Sequence, residues 1–195
     1  MAGPPHRRCK VINFERLLLM RTAARVERCH TTTTIHRQTD GEHTFGVLAI
    51  LLTICPEASA DLIKACLFHD VPEAITGDIP SPIMHKYREL RAMMNQIEAD
   101  ILDQYELRID ISVMEQRILK YCDRMELWMF ALEEIDTGNR RMYRVASRVR
   151  ESIAKDKLYQ VTPQASELFD YVAKRHLDIC ISSTAFPPFH TSPDI

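Results

Sequence analysis

Apolar residues recur along this chain at spacings of three and four, and strict alternation is scarce. That period belongs to helices. A first helix is predicted from Asn13 to about Glu27, with Phe14, Leu17, Leu18, Arg21 and Ala24 at helical spacing. The stretch CHTTTTIHRQTDG, Cys29 to Gly41, is polar and Thr-rich and reads as an extended or looped connection. A second helix starts near Glu42, carries the stripe Val47, Ile50, Leu51 and Ile54, and stops at Pro56. Ser59 is placed to N-cap a third helix with Leu62, Ile63, Cys66 and Leu67 inward. Val71–Pro72 breaks it, because the residue before proline is pushed out of the α region. Pro72 can open a short helical turn that Gly77 ends. Ser81–Pro82 opens a long fourth helix to about Tyr105. A fifth, about Ser112 to Asp136, places Met114, Ile118, Cys122, Met125, Met129 and Leu132 inward and ends at Gly138. A sixth covers about Asn139 to Lys155, and a seventh Thr162 to about Leu177. The prediction is an all-α protein with one helical domain over 11–179, a disordered start over 1–10 and an irregular tail over 180–195.

Composition supports a packed domain. The apolar fraction is 46% and the net charge only −2, so the chain is not of the disordered type. The balance also argues against a dedicated nucleic-acid or membrane-surface binder, which would carry a basic excess. An arginine cluster, Arg140, Arg141, Arg144, Arg148 and Arg150, reads as a solvated or inter-subunit face. The six cysteines form no CxxC pair and read as free thiols of a reducing compartment. The longest apolar run, Val47 to Cys55, is too short to span a bilayer. A cytoplasmic location is expected.

Three ionisable residues interrupt faces that should be dry. His43 heads the stripe of the second helix, His69 lies three and seven residues beyond Cys66 and Leu62, and Asp123 shares a face with Leu119, Leu127 and Phe130. A buried charge is costly unless paired or bound to a metal. Each residue alone could be a hydrogen-bonded core histidine or a helix-end carboxylate. Together, His43, His69, Asp70 and Asp123 come from three helices and could converge on one point. Imidazole with carboxylate suits a first-row divalent ion better than calcium.

The pattern of His43, then His69–Asp70 within HDVPEAITGDIPSP, then a distant Asp123 resembles the HD-domain phosphohydrolase superfamily. It is most similar to the bacterial 5′-deoxynucleotidases and the small phage-type deoxynucleotide triphosphohydrolases, over about residues 13 to 135. The resemblance implies an HD-domain helical bundle with His43, His69, Asp70 and Asp123 as metal ligands. It also implies that Arg28, fifteen residues before His43, contacts phosphate and sugar. Cys29 stands where the family often has a tryptophan lining the sugar and base pocket. Glu73 matches the glutamate that orients or activates water, Asp78 an acid near the scissile ester, and Lys120 a lysine three residues before the last metal aspartate. The expected cofactor is zinc, cobalt or manganese, with magnesium an option at a second site.

These residue types fit hydrolysis of a 5′ phosphate ester of a deoxynucleotide. Glu73 could accept a hydrogen bond from water, and Asp78 could protonate or position the departing oxygen. Arg28, Lys86 and Lys120, with Arg37 and Arg88 in reserve, could neutralise phosphate. A dNTP, with dATP foremost, is the leading expected substrate, giving deoxynucleoside and triphosphate. A dNMP giving phosphate is the alternative, and a non-catalytic nucleotide-binding module or a phosphodiesterase of the same superfamily are further readings. The expected partner is a small deoxynucleotide, with no nucleic acid and no membrane, in a homo-oligomer by resemblance.

Overall fold

The computed structural model describes residues 12–183, which form helices α1 (Phe14–Ala23), α2 (Asp40–Ile54), α3 (Ala60–Phe68), α4 (Glu73–Thr76), α5 (Ser81–Lys86), α6 (Arg88–Gln104), α7 (Val113–Asp136), α8 (Tyr143–Lys155) and α9 (Pro163–Ser183). The described residues contain no strand, only an isolated antiparallel bridge between Glu27 and Thr39. The expected all-α fold is what is found. Cys9, the 1–10 segment and residues 184–195 of the expected tail lie outside the described residues.

The longest helix, α7, is the axis of the bundle. It packs against α2, α3, α8 and α9. Tyr121, Cys122, Met125, Trp128 and Ala131 are all fully buried along it. The Tyr121 hydroxyl donates to the Ala165 carbonyl at 2.7 Å, and Trp128 Nε1 donates to His176 Nδ1 at 3.2 Å. His176 is thus a hydrogen-bonded core histidine. No helix among the described residues is long and apolar enough to cross a membrane.

Local chemistry sets the helix starts. Ser59 accepts from Leu62 N, and Ser112 forms a capping box with Glu115. Pro72 occupies the cap of α4, one position earlier than expected, and Gly77 closes that turn at φ +70°. Five expectations shift, one of them being Leu67, expected inward on α3 but exposed. The long fourth helix is two, broken at Tyr87, which is extended. The first helix ends at Ala23 rather than near Glu27, and its Phe14, Leu17 and Leu18 are exposed while Ala23 is buried. Met114 is exposed, so the dry stripe of α7 begins at Ile118. Finally, α9 runs to Ser183 instead of ending near Leu177, because Ile179 continues its buried face.

Candidate active site

Two local devices bring the site together. The first is the N-terminus of α2. Thr39 and Glu42 form a capping box, which fixes Asp40 and His43 one turn apart on the inner face. Arg28 N donates to the Gln38 carbonyl at 2.9 Å and Asp40 N to Val26 O at 3.0 Å, so the chain before α2 lies alongside its start and delivers Arg28 there. The second device is the end of α3. His69 is its C-cap residue, Asp70 follows, and Pro72 turns the chain into α4, which begins with Glu73.

Both histidines are held by Nδ1. His69 Nδ1 lies 2.7 Å from the Cys66 carbonyl. A carbonyl only accepts, so Nδ1 carries the proton. His43 Nδ1 is bonded to the Glu126 carboxylate. Each Nε2 is buried and makes no hydrogen bond. His43 Nε2 stands 3.2 Å from Asp123 Oδ1 and 3.6 Å from Asp70 Oδ2, and His69 Nε2 stands 3.3 Å from the same Asp70 oxygen. Ligand atoms of His43, His69 and Asp123 all fall within 4.8 Å of one another. Two orphaned imidazole nitrogens turned toward shared carboxylates fit a first-row divalent ion, and backing of the distal nitrogen is the usual support for such a ligand.

Beside this lies a second acidic group. Asp40, Asp70 and Glu73 also offer oxygens within 4.8 Å of one another. Arg28 stands against them, 2.6 Å from Asp70 Oδ2 and 3.3 Å from Asp40 Oδ1. Burial disfavours the charged guanidinium, but Asp70, Asp123, Glu73 and Asp40 outweigh it and hold Arg28 protonated more firmly than usual. Burial, then Asp70 and Asp40, push Glu73 up to about 10. Burial and Asp70 push Asp40 to about 6 against the pull of Arg28. Burial would raise Asp123, but neighbouring His43, His69 and Arg28 hold it below the ordinary aspartate range. Burial would lower His43, yet Asp123 and Glu126 push it up to about 9. Crowded carboxylates with one arginine among them form a strongly cation-attracting centre. A cavity of about 310 Å³ between α1, α2 and α3 reaches Asp40 and Asp70. Its other walls, including Met20, Phe45, Leu48 and Leu67, are mostly apolar.

The profile described as "5′-deoxynucleotidase YfbR-like" matches residues 16–171. The chain belongs to that family. A 5′-deoxynucleotidase of Yersinia pestis (strain Pestoides F) is 26% identical over 104 residues, covering 45% of this chain and 52% of that one. This chain therefore spans about half the length of the curated relatives it matches. Among solved structures, an HD-domain phosphohydrolase from Listeria innocua covers 87% of this chain and 98% of its own, at TM-score 0.67 and 17% identity. The HD phosphohydrolase DatZ of cyanophage S-2L, bound to dA and one catalytic Zn²⁺ ion, covers 87% and 97%, at TM-score 0.56 and 18% identity. The PH0347 protein of Pyrococcus horikoshii covers 84% and 99%, at TM-score 0.67 and 20% identity. These likenesses establish the HD-domain fold.

In this family member, the other expected site residues divide. Asp78 accepts from Cys29 N at 2.9 Å and lies 3.8 Å from His30 Nδ1. Cys29 sits at φ +55°, a left-handed conformation that costs a side-chain-bearing residue about 1–2 kcal/mol. Asp78 thus fixes the turn directly after Arg28. Burial pushes the Cys29 thiol up. The lysines do not join the cluster. Lys86 is exposed with Nζ over the Tyr87 ring, 5.3 Å from its centroid. Lys120 is exposed and pairs with Asp156 at 3.5 Å, on the α8 side of α7. Arg37 is exposed beside Glu27 at 3.7 Å. Arg140, Arg141, Arg144 and Arg148 are exposed around the start of α8.

Sequence reading missed Asp40, Gln38 and Glu126. Asp40 is 2% exposed, yet in sequence it is an acid in a first turn, where acids favour the helix dipole anyway. Glu126 lies three residues after Asp123, and that spacing is the only signal that pointed to the same face.

Proposed function

We propose that this chain hydrolyses the 5′ phosphate ester of deoxynucleoside monophosphates, releasing deoxynucleoside and inorganic phosphate, with a divalent first-row metal. The observation that carries this reading is the pair of buried, unpartnered Nε2 atoms of His43 and His69, turned toward Asp70 and Asp123 beside Arg28. The relatives named 5′-deoxynucleotidase support the substrate class, and a deoxynucleoside and zinc occupy the cyanophage neighbour.

His43, His69, Asp70 and Asp123 would hold the ion. A bound divalent ion acidifies water and withdraws charge from phosphoryl oxygens. Arg28, already among the carboxylates, would exchange part of its pairing with Asp40 and Asp70 for a fork-like contact to the phosphate. Glu73 Oε2 is buried without a partner and is the atom we assign to take a proton from the attacking water. Burial, then Asp70 and Asp40, raise its pKa, and a cation held among those ligands would lower it again. Asp78, held against Cys29 N, would position the departing 5′-oxygen and the sugar.

This replaces the leading expectation from sequence, a dATP triphosphohydrolase. A triphosphate needs several cations in the site, and Lys86, Lys120 and Arg37 are exposed and engaged elsewhere. One arginine against this many carboxylates suits a single phosphate group. The test is a panel of dNMPs, NMPs and dNTPs with Mn²⁺, Co²⁺ or Zn²⁺, reading phosphate and triphosphate separately. Phosphate from dNMPs is expected. Triphosphate from dNTPs with no phosphate from dNMPs would restore the sequence expectation, and no turnover on any substrate would favour a binding module.

A further inference from the structure

We infer that Glu126 is a positioning residue that orients His43 and locks it to the segment carrying Arg28. The inference rests on reading His43 as a metal ligand. Both carboxylate oxygens of Glu126 are committed. Oε2 holds His43 Nδ1, and Oε1 accepts from Gln38 Nε2 at 2.7 Å. Gln38 in turn accepts Arg28 N on its backbone carbonyl at 2.9 Å. His43 is 0% and Gln38 6% exposed. One carboxylate on α7 therefore ties the first histidine of α2 to the strand-like segment before it. One candidate ligand of the ion, His43, and the phosphate-facing arginine are thus registered through a single side chain.

Two contrasts single this residue out. His69 is oriented by the Cys66 carbonyl, a backbone atom that no substitution removes. Only His43 depends on a side chain. The second contrast is Gly46, one turn after His43 on α2. A Cβ there would lie 2.6 Å from Glu126 Cγ and 3.1 Å from its Oε1. Glycine inside a helix costs about 1 kcal/mol relative to alanine, and here the missing side chain is what lets Glu126 reach across. A carboxylate on the distal nitrogen also raises the donor strength of the ligating one, and losing such a partner typically weakens metal affinity about 10–100-fold.

The test combines chelator-competition affinity for Zn²⁺ with ¹⁵N-edited NMR of the His43 Nδ1 proton in metal-free protein. Wild type should show a strongly hydrogen-bonded Nδ1 proton. Glu126→Ala should lose it and weaken Zn²⁺ binding about 100-fold, and Glu126→Gln, which keeps shape without charge, about 10-fold. Gly46→Ala should reproduce the affinity loss with Glu126 intact. Far-ultraviolet dichroism checks that each variant is folded. His69→Ala should lose metal yet keep the His43 proton. Wild-type Zn²⁺ affinity in Glu126→Ala, or persistence of the Nδ1 proton there, overturns the inference. Should wild type bind no metal at all, the metal-centre reading fails, while the Nδ1 signal still decides whether Glu126 holds His43.

Discussion

Glu134 and Glu73 show how differently two carboxylates with buried oxygens can be used. Glu134 is fully buried on α7 but answered on every side. It accepts from Ile35 N at 2.6 Å, His36 N at 2.7 Å and Asn139 Nδ2 at 2.7 Å, and it meets His36 Nδ1 at 3.0 Å. Burial would raise its pKa, but Asn139, the Ile35 and His36 amides and the His36 ring hold it below the ordinary glutamate value. A folded pKa below the unfolded one gives stability that is complete above about pH 4.3 and is lost as pH falls through the folded value. Glu134→Gln should therefore cost about 1–3 kcal/mol at pH 7, and its deficit against wild type should shrink near pH 3.5. Urea unfolding at the two pH values checks this, and an equal deficit at both would refute it. Glu73, by contrast, keeps Oε2 unanswered and is driven up, as befits a group left available for chemistry. Sequence singled out Glu73 through its place in HDVPEAITGDIPSP and was silent on Glu134. His43, His69 and Asp123 were legible because they interrupt apolar stripes. Glu126 and Glu134 fall where a solvated helix would carry carboxylates anyway, and only the packing of the 29–39 segment against α7 buries them.

At the scale of elements, ends marked by chemistry were legible and ends marked by packing were not. Ser59, Ser112, Gly77 and Gly138 all stand where the chain starts or stops a helix. The break at Tyr87 carries no glycine or proline, and the series Ile83, Tyr87, Leu90, Met94, Ile97 and Ile101 runs through it at spacings of three and four. Periodicity alone reads straight across such a kink. The two turns that frame the site are different, because each depends on a positive φ. Gly77 sits at φ +70° with open space around a would-be Cβ, so Gly77→Ala strains the backbone without a steric clash. The expected loss is about 1–3 kcal/mol, or about 2–12 °C in Tm. Since Gly77 directly precedes Asp78, and Asp78 holds Cys29 N, kcat/KM should fall as well. A Tm unchanged in the alanine variant would remove the claim that this turn is under conformational demand.

Across the whole molecule, a net charge of only −2 conceals a strong local imbalance. Folding gathers Asp40, Asp70, Glu73 and Asp123 within reach of one arginine, while Arg140, Arg144 and Arg148 lie exposed on and just before α8. The chain's cations are thus spent largely on the surface, and its interior keeps an unmet demand for positive charge. That demand has a thermodynamic consequence. A ligand that binds only the folded state stabilises it by RT ln(1 + [L]/Kd), about 2.7 kcal/mol at one hundred times Kd. For a chain of this size that amounts to about 5–10 °C in Tm. Zn²⁺, Co²⁺ or Mn²⁺ should therefore raise the midpoint of chelator-treated protein by about that much, and excess chelator should reverse it. His69→Ala and Asp123→Ala should abolish the shift, since each removes a ligand from the same group. Lys86→Ala and Lys120→Ala should leave it intact, because both lysines are exposed and engaged with Tyr87 and Asp156. A metal-induced shift that survives in His69→Ala would move the binding site away from the centre that α2, α3 and α7 build.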